Sequence, residues 1–448
     1  MFDTVLIANR GEIALRIQRG CRRLGLACVQ AHSEADRDAA YVRLADAAVC
    51  VGPAPAADSY LNKEALLLAA RASGAGAIHP GYGFLSENGD FARLVEEEGL
   101  VFIGPPADAI ALMGDKISAK RAMIEAGVPC VPGYEGDLPP GAHALEIARS
   151  IGFPVIVKAA GGGGGRGMRV VRAEAELLSA VATTREEAAR AFGNSTVYLE
   201  RFLERPRHVE IQVVADGQGN AAWIGARDCS VQRRHQKIIE EAPAPDVPTQ
   251  LLEEVGARCV AACRAMGYRG AGTFEFLYDE GALFFIEMNT RLQVEHTVTE
   301  MVSGLDIVEL QLRIARGERL PFAQDDVRLS GHAIECRINA EDPRTFLPSA
   351  GRIGLWHAPG GPGVRVDTHV VSGYTVPQHY DSMIAKIITH GATRAEAIAR
   401  MQAALAECVV EGIRTNIPLH RELLADPDFA AGGVSIHFLE RRGTALPA

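Results

Sequence analysis

The segment Ile286-Glu287-Met288-Asn289-Thr290-Arg291-Leu292-Gln293-Val294-Glu295-His296 alternates polar and apolar residues. Read as an extended strand, it turns Glu287, Asn289, Arg291, Gln293 and Glu295 to one face and Ile286, Met288, Leu292 and Val294 to the other. A half-buried edge strand would carry the same pattern, but the residues before it narrow the choice. Residues 273–278, Asp279-Glu280-Gly281 and residues 282–285 spell a hairpin. An odd-numbered loop centred on Gly281 would set Glu275 directly opposite Glu287, whereas an even-numbered loop would put the two on opposite faces. Carboxylates about 4 Å apart repel by about 4 kcal/mol at an effective dielectric near 20, a cost that a divalent cation removes. All-oxygen ligation by Glu275, Glu287 and Asn289 suits Mg²⁺ or Mn²⁺ shared with substrate phosphates, rather than zinc.

Upstream, strands and helices alternate. Residues 5–8 read as an apolar strand, 12–24 as an amphipathic helix, and 27–31 and 101–103 as further strands, which predicts a parallel, doubly wound sheet. The turn Asn9-Arg10-Gly11-Glu12 lacks the Gly-x-Gly-x-x-Gly of dinucleotide sites. Residues 79–88 follow a short strand where sheets of this class carry ligand loops, although a Gly/Pro turn with an N-cap reads equally well. Residues 108–126 read as two short helices, on which Lys116 is by default solvated.

A compact segment follows, residues 133–203, in which strands 153–158 and 168–171 flank five consecutive glycines. No Gly-Lys-Ser/Thr is present, so this is not a Walker A loop. A tip without side chains can still lay backbone amides over phosphates, with Lys158 and Arg166 adding charge, and close as a lid. From about residue 204 the chain reads as a larger α+β domain. Within it, residues 228–237 gather cations and amides in a chain of net charge −10, which reads as a local anion site. The expected domains are 1–112, 113–203 and 204–448.

That acidic balance argues against nucleic acid or an anionic membrane as the main partner. The N-terminus begins with a strand and no apolar run reaches spanning length, so a cytoplasmic location is expected. Nine cysteines without a Cys-x-x-Cys pair predict neither a disulfide nor a zinc framework. Most should be small buried hydrophobes, with Cys229 set apart by its polar neighbours.

Taken together, the motifs resemble the biotin carboxylase family of ATP-grasp enzymes. The resemblance runs from Ile7-Ala8-Asn9-Arg10-Gly11-Glu12 to Gly432-Gly433-Val434-Ser435-Ile436-His437 and includes residues 79–88, 158–168, 233–237, 270–276, 287–300 and 335–341. It implies an α/β and α+β architecture: a Rossmann-like N-terminal domain, a small ATP-grasp lid and a larger C-terminal α+β ATP-grasp domain.

The resemblance also implies roles. Lys116, Lys158, His208, Gln232 and His235 would hold ATP phosphates and ribose, under a lid of Gly162, Gly163, Gly164, Gly165, Arg166 and Gly167. Glu200, the Leu203 backbone, Leu277 and Ile436 would enclose the adenine, and Glu275, Glu287 and Asn289 would carry the metal. Lys237, Arg291, Gln293 and the Val294 amide would bind bicarbonate, and Glu295 would act as its base. Arg337, with Tyr82 nearby, would face the ureido ring of biotin. With a pKa above ~12, Arg337 cannot be a base but can stabilise an enolate-like oxygen; an ion pair to Glu341 or Asp342 is its plain structural alternative.

The family often has Glu-Lys-Tyr where this chain has Glu200-Arg201-Phe202, and Pro where it has Thr297, a change expected to loosen the turn after His296. No Ala-Met-Lys-Met occurs, so biotin is expected on a separate biotin carboxyl carrier protein. The resemblance further implies carboxyltransferase subunits, a homodimer formed through the N- and C-terminal regions, and service to acetyl-CoA carboxylase in fatty-acid synthesis. The alternatives are another acyl-CoA carboxylase, a different ATP-grasp ligase, or a non-catalytic nucleotide sensor.

Overall fold

The computed structural model describes residues 2–134, 136–161 and 167–442. Gly162, Gly163, Gly164, Gly165 and Arg166 of the expected lid lie outside the described residues. Among the described residues, no helix is long and apolar enough to cross a membrane.

The buried apolar strand Thr4–Ile7 lies at the centre of a five-stranded parallel sheet, between Ala27–Ser33 and Ala77–His79. Ala47–Gly52 and Val101–Phe102 form its edges. The strand order reverses beside Thr4–Ile7, so the loops after it and after Ala77–His79 open together at the carboxyl edge. Asn9 locks them by donating to the carbonyls of Pro80 (2.6 Å) and Tyr82 (2.7 Å). Gly81 is left-handed (φ +64°), and a Cβ there would meet Asn9 Nδ2 at 2.8 Å, so this crossing requires glycine.

Four antiparallel strands build a small sheet in the order Gly133–Tyr134, Val197–Arg201, Val155–Ala159, Met168–Val171. Apolar residues of helices Ala142–Ile151 and Leu177–Phe192 pack with it in one core.

The largest sheet has eight strands, in the order Ala282–Asn289, Arg269–Asp279, Arg207–Asp216, Ala221–Arg233, Gln236–Ala242, His332–Asn339, Met383–Gly391, Val364–Thr368. Arg207–Asp216 is buried at every position. Val209, Ile211 and Val213 face a core shared with helix Thr249–Ala265, while the alternate residues His208, Glu210 and Gln212 form a buried polar floor.

The hairpin differs from the sequence expectation in two respects. Its turn is the two-residue Glu280-Gly281, both left-handed (φ 47° and 81°), as type I′ turns require. The loop is therefore even, yet Glu275 pairs directly with Glu287, because a bulge at Ile286 supplies the extra residue. Moreover, the strand ends at Asn289, and residues 290–295 turn into helix His296–Ser303. The chain peels away because Glu87, from the N-terminal loop, accepts the Thr290 amide (3.2 Å) and the Arg291 guanidinium (2.8 Å).

Candidate active site

Two cavities meet at His235, Lys237 and Arg291. The first, of about 460 Å³, lies between the small sheet and the polar floor. Asp115 caps helix Lys116–Glu125 by accepting the Ser118 amide (2.8 Å), which sets Lys116 in its first turn at the cavity wall. Lys158 and Lys120 both reach Glu200, at 2.6 and 2.9 Å. Burial opposes the charge on Glu200, but the two lysines outweigh it and hold the carboxyl below its ordinary range. Lys120 was absent from the sequence reading, although its spacing of four from Lys116 puts both on one helix face.

Gln232 and His235 come from the hairpin joining Ala221–Arg233 to Gln236–Ala242, whose tip residues Arg234 and His235 are left-handed. Leu203, Leu277 and Ile436 line the same cavity, and Ile436 donates its amide to the Pro206 carbonyl (3.0 Å). Gly167 accepts the Ala159 amide (2.8 Å) beside the paired strands Val155–Ala159 and Met168–Val171. Arg201 and Phe202 are also in the wall; Arg201 reaches Glu280 at 3.4 Å.

On the floor, Glu275 Oε1 accepts from Lys237 (2.8 Å), Asn289 (2.7 Å) and Gln293 (2.7 Å), and its Oε2 lies 3.2 Å from His208. Burial works against that charge, but Lys237 and His208 bring Glu275 well below the carboxylate range. Its cross-strand partner Glu287 is instead pushed up, by burial and then by Glu275. Glu275 and Glu287 face each other across the ladder with Asn289 two residues along the same strand, and the oxygen donors of these three residues fit a hard divalent ion.

The second cavity, of about 660 Å³, opens between the N-terminal loops and the large sheet. Lys237 donates to Glu210, Glu275 (2.8 Å) and Glu295 (2.8 Å), which occupies all three ammonium protons. Arg337 bridges Glu240 (2.5 Å) and Glu295 (3.0 Å). Its anticipated alternatives are engaged elsewhere, Glu341 with Ser382 and Asp342 with Arg414. Arg291 also donates to Asn289 (2.7 Å), and the Tyr82 hydroxyl donates to Glu12. Burial would raise Glu295, but Lys237, Arg337 and Arg227 outweigh it and bring the carboxyl to about 2.

Beneath this cavity the fully buried Arg227 donates to Glu210 (2.9 Å), Gln212 (2.7 Å) and Gln293 (2.6 Å). Arg227 and Glu210 escaped the sequence reading; the polar alternation His208, Glu210, Gln212 was the available signal. Cys229 is buried like most of the cysteines, and burial pushes its thiol up, whereas Cys50 is exposed. Thr297 does not loosen the turn: it is buried in the first turn of its helix and donates to Glu335.

Family models match nearly the whole chain: biotin carboxylase N-terminal domain at residues 1–110, the ATP binding domain of the carbamoyl-phosphate synthase L chain at 115–323, and biotin carboxylase C-terminal domain at 335–441. A biotin carboxylase of Allochromatium vinosum is 62% identical over 98% of both chains. The crystal structure of a biotin carboxylase–β-γ-ATP complex from Campylobacter jejuni is 48% identical, with a TM-score of 0.94, covering 98% of this chain and 99% of that one. The biotin carboxylase domain dimer of Hydrogenobacter thermophilus 2-oxoglutarate carboxylase, in complex with MgADP, ADP and bicarbonate, is 47% identical, with a TM-score of 0.92 over 100% and 99% of the two chains. From its sequence, fold and site together, this chain belongs to the biotin carboxylase family of ATP-grasp enzymes.

Proposed function

We propose that this chain, an ATP-dependent biotin carboxylase by family, carboxylates biotin presented by a separate biotin carboxyl carrier protein, as the first half-reaction of acetyl-CoA carboxylase. The observation that carries this reading is the junction of the two cavities at Lys237, with Glu295 and Arg337 on the far side and Glu275 on the near side.

ATP occupies the smaller cavity. Lys116, Lys158, His208, Gln232, His235 and the glycine lid hold phosphates and ribose, and Glu200, Leu203, Leu277 and Ile436 enclose the base. Glu275, Glu287 and Asn289 would hold a divalent ion, which would supply charge neutralisation at the phosphates. Bicarbonate binds at Lys237, Arg291, Gln293 and the Val294 amide. Glu295 is ionised and able to accept a proton, and its basicity rises as bicarbonate draws Lys237 and Arg337 away from it. As that proton leaves, a bicarbonate oxygen attacks the γ-phosphorus, ADP departs and carboxyphosphate forms. Carboxyphosphate breaks into CO₂ and phosphate, the phosphate takes the ureido proton, and the nitrogen attacks CO₂. Arg337, beside Tyr82, stabilises the ureido oxygen throughout.

A homodimer, carboxyltransferase partners, a cytoplasmic setting and a role in fatty-acid synthesis belong to the same proposal. The Hydrogenobacter relative favours a second reading, service to another carboxylase through the same half-reaction.

The test is phosphate release from MgATP with and without bicarbonate and free biotin. Release that requires bicarbonate, rises with biotin and yields carboxybiotin is expected. ATP binding without any biotin response, even with added carrier protein, would redirect the assignment to another ATP-grasp acceptor. Glu295→Gln should abolish bicarbonate-dependent turnover while retaining MgATP binding; full activity in that variant would remove Glu295 as the base.

A further inference from the structure

Residues 290–295 carry Arg291, Gln293 and Glu295 but have no strand partner, so side chains from elsewhere must hold them in place. Glu87 takes the start of the turn. His296 Nδ1 bonds the Gln293 carbonyl (2.8 Å), and Lys386 Nζ donates to the next carbonyl, that of Val294 (2.7 Å). Lys386 is fully buried on strand Met383–Gly391, directly opposite Arg337 in the ladder and so on the same face of the sheet. Its Nζ also lies 3.3 Å from Glu12, the carboxylate that accepts the Tyr82 hydroxyl. Burial opposes the charge on Lys386, but Glu12, Glu335 and Asp367 outweigh it and keep the group cationic.

We propose that Lys386 is a positioning residue for the anion site. It fixes Val294, and with it the Gln293 amide between Arg227 and Glu275 and the Glu295 carboxylate within reach of Lys237 and Arg337. The inference rests on the reading that Gln293, Val294 and Glu295 hold bicarbonate. One ammonium thereby joins the three stretches matched by the three family models: Glu12, Val294 and its own strand. A charge-assisted bond to a backbone carbonyl sets a height that apolar packing would leave loose.

The test compares wild type, Lys386→Met and the double variant Glu12→Gln/Lys386→Met by steady-state phosphate release, varying bicarbonate and ATP separately. Lys386→Met is expected to raise the KM for bicarbonate about tenfold or more, with the KM for ATP within about twofold of wild type. The double variant removes the carboxylate charge that Lys386→Met leaves unpaired, so it should regain thermal stability without regaining bicarbonate affinity. The proposal is overturned if a folded variant keeps a wild-type KM for bicarbonate, if both KM values rise together, or if the double variant restores bicarbonate affinity. Should the unaltered chain release phosphate without bicarbonate, the bicarbonate reading itself would fall, and that result is distinct from any of the three.

Discussion

Lys237 is the residue on which the site's charge depends. Glu210, Glu275 and Glu295 are all buried and converge on its single ammonium. Burial opposes the charge on Lys237, but the three carboxylates outweigh it and drive its pKa well above the ordinary lysine value. Removing the ammonium leaves three buried carboxylates with Arg227, His208 and Arg337 left to balance them, so Lys237→Met should cost about 3–5 kcal/mol of stability in urea denaturation at pH 7. The loss should shrink at pH 5, where the stranded carboxylates can take up protons; a loss under about 1 kcal/mol at pH 7 would mean that they are already neutral. Because all three donors are occupied, an arriving anion must displace a carboxylate, and under the proposed mechanism that carboxylate is Glu295.

Among the elements, the small sheet presents Glu200 to its lysines through a close contact. A Cβ on Gly133 would meet the Leu199 carbonyl oxygen at 2.5 Å and Glu200 Cγ at 2.9 Å. Gly133→Ala should therefore push Val197–Arg201 away from Gly133–Tyr134, at a cost of about 1–3 kcal/mol. It should weaken ATP binding, measured by calorimetry, more than bicarbonate binding; equal weakening of both would count against a local effect. Much of this layer was legible beforehand. The alternation of residues 286–289 and the cation-rich residues 228–237 pointed to the strand that carries Glu287 and Asn289 and to the hairpin tip with His235, because side chains in paired strands follow period two. The even turn with its compensating bulge was not legible, since apolar Ile286 reads the same in a regular strand or a bulge. The departure after Asn289 depends on Glu87, a partner about two hundred positions away, and no local pattern encodes such a contact.

Across the whole molecule, buried histidines tie stability to acid. His79 and His369 are pushed down to about 3 and His420 to about 4, chiefly by burial, and His296 falls well below the ordinary value. Each stays neutral when folded but protonates when unfolded below pH about 6.5, so each withdraws about 1.4 kcal/mol per pH unit as pH falls from there toward its folded value. Above pH about 6.5 they contribute nothing. Glu240 and Glu335, raised mainly by burial, work in the opposite direction. A single replacement isolates the effect. The unfolding free energy of wild type relative to His420→Gln should fall with that slope between pH 6.5 and about 4.5, and a constant gap would show that His420 is charged when folded.

The eight-stranded sheet runs without interruption from residue 207 to residue 391, and Gln236–Ala242 finds its outer neighbour only in His332–Asn339. The gap between the second and third family matches, residues 324–334, is consequently no seam for dissection. A fragment ending there would expose a raw, unsatisfied edge prone to self-association, so halves made by truncation should precipitate when expressed alone and recover only when produced together.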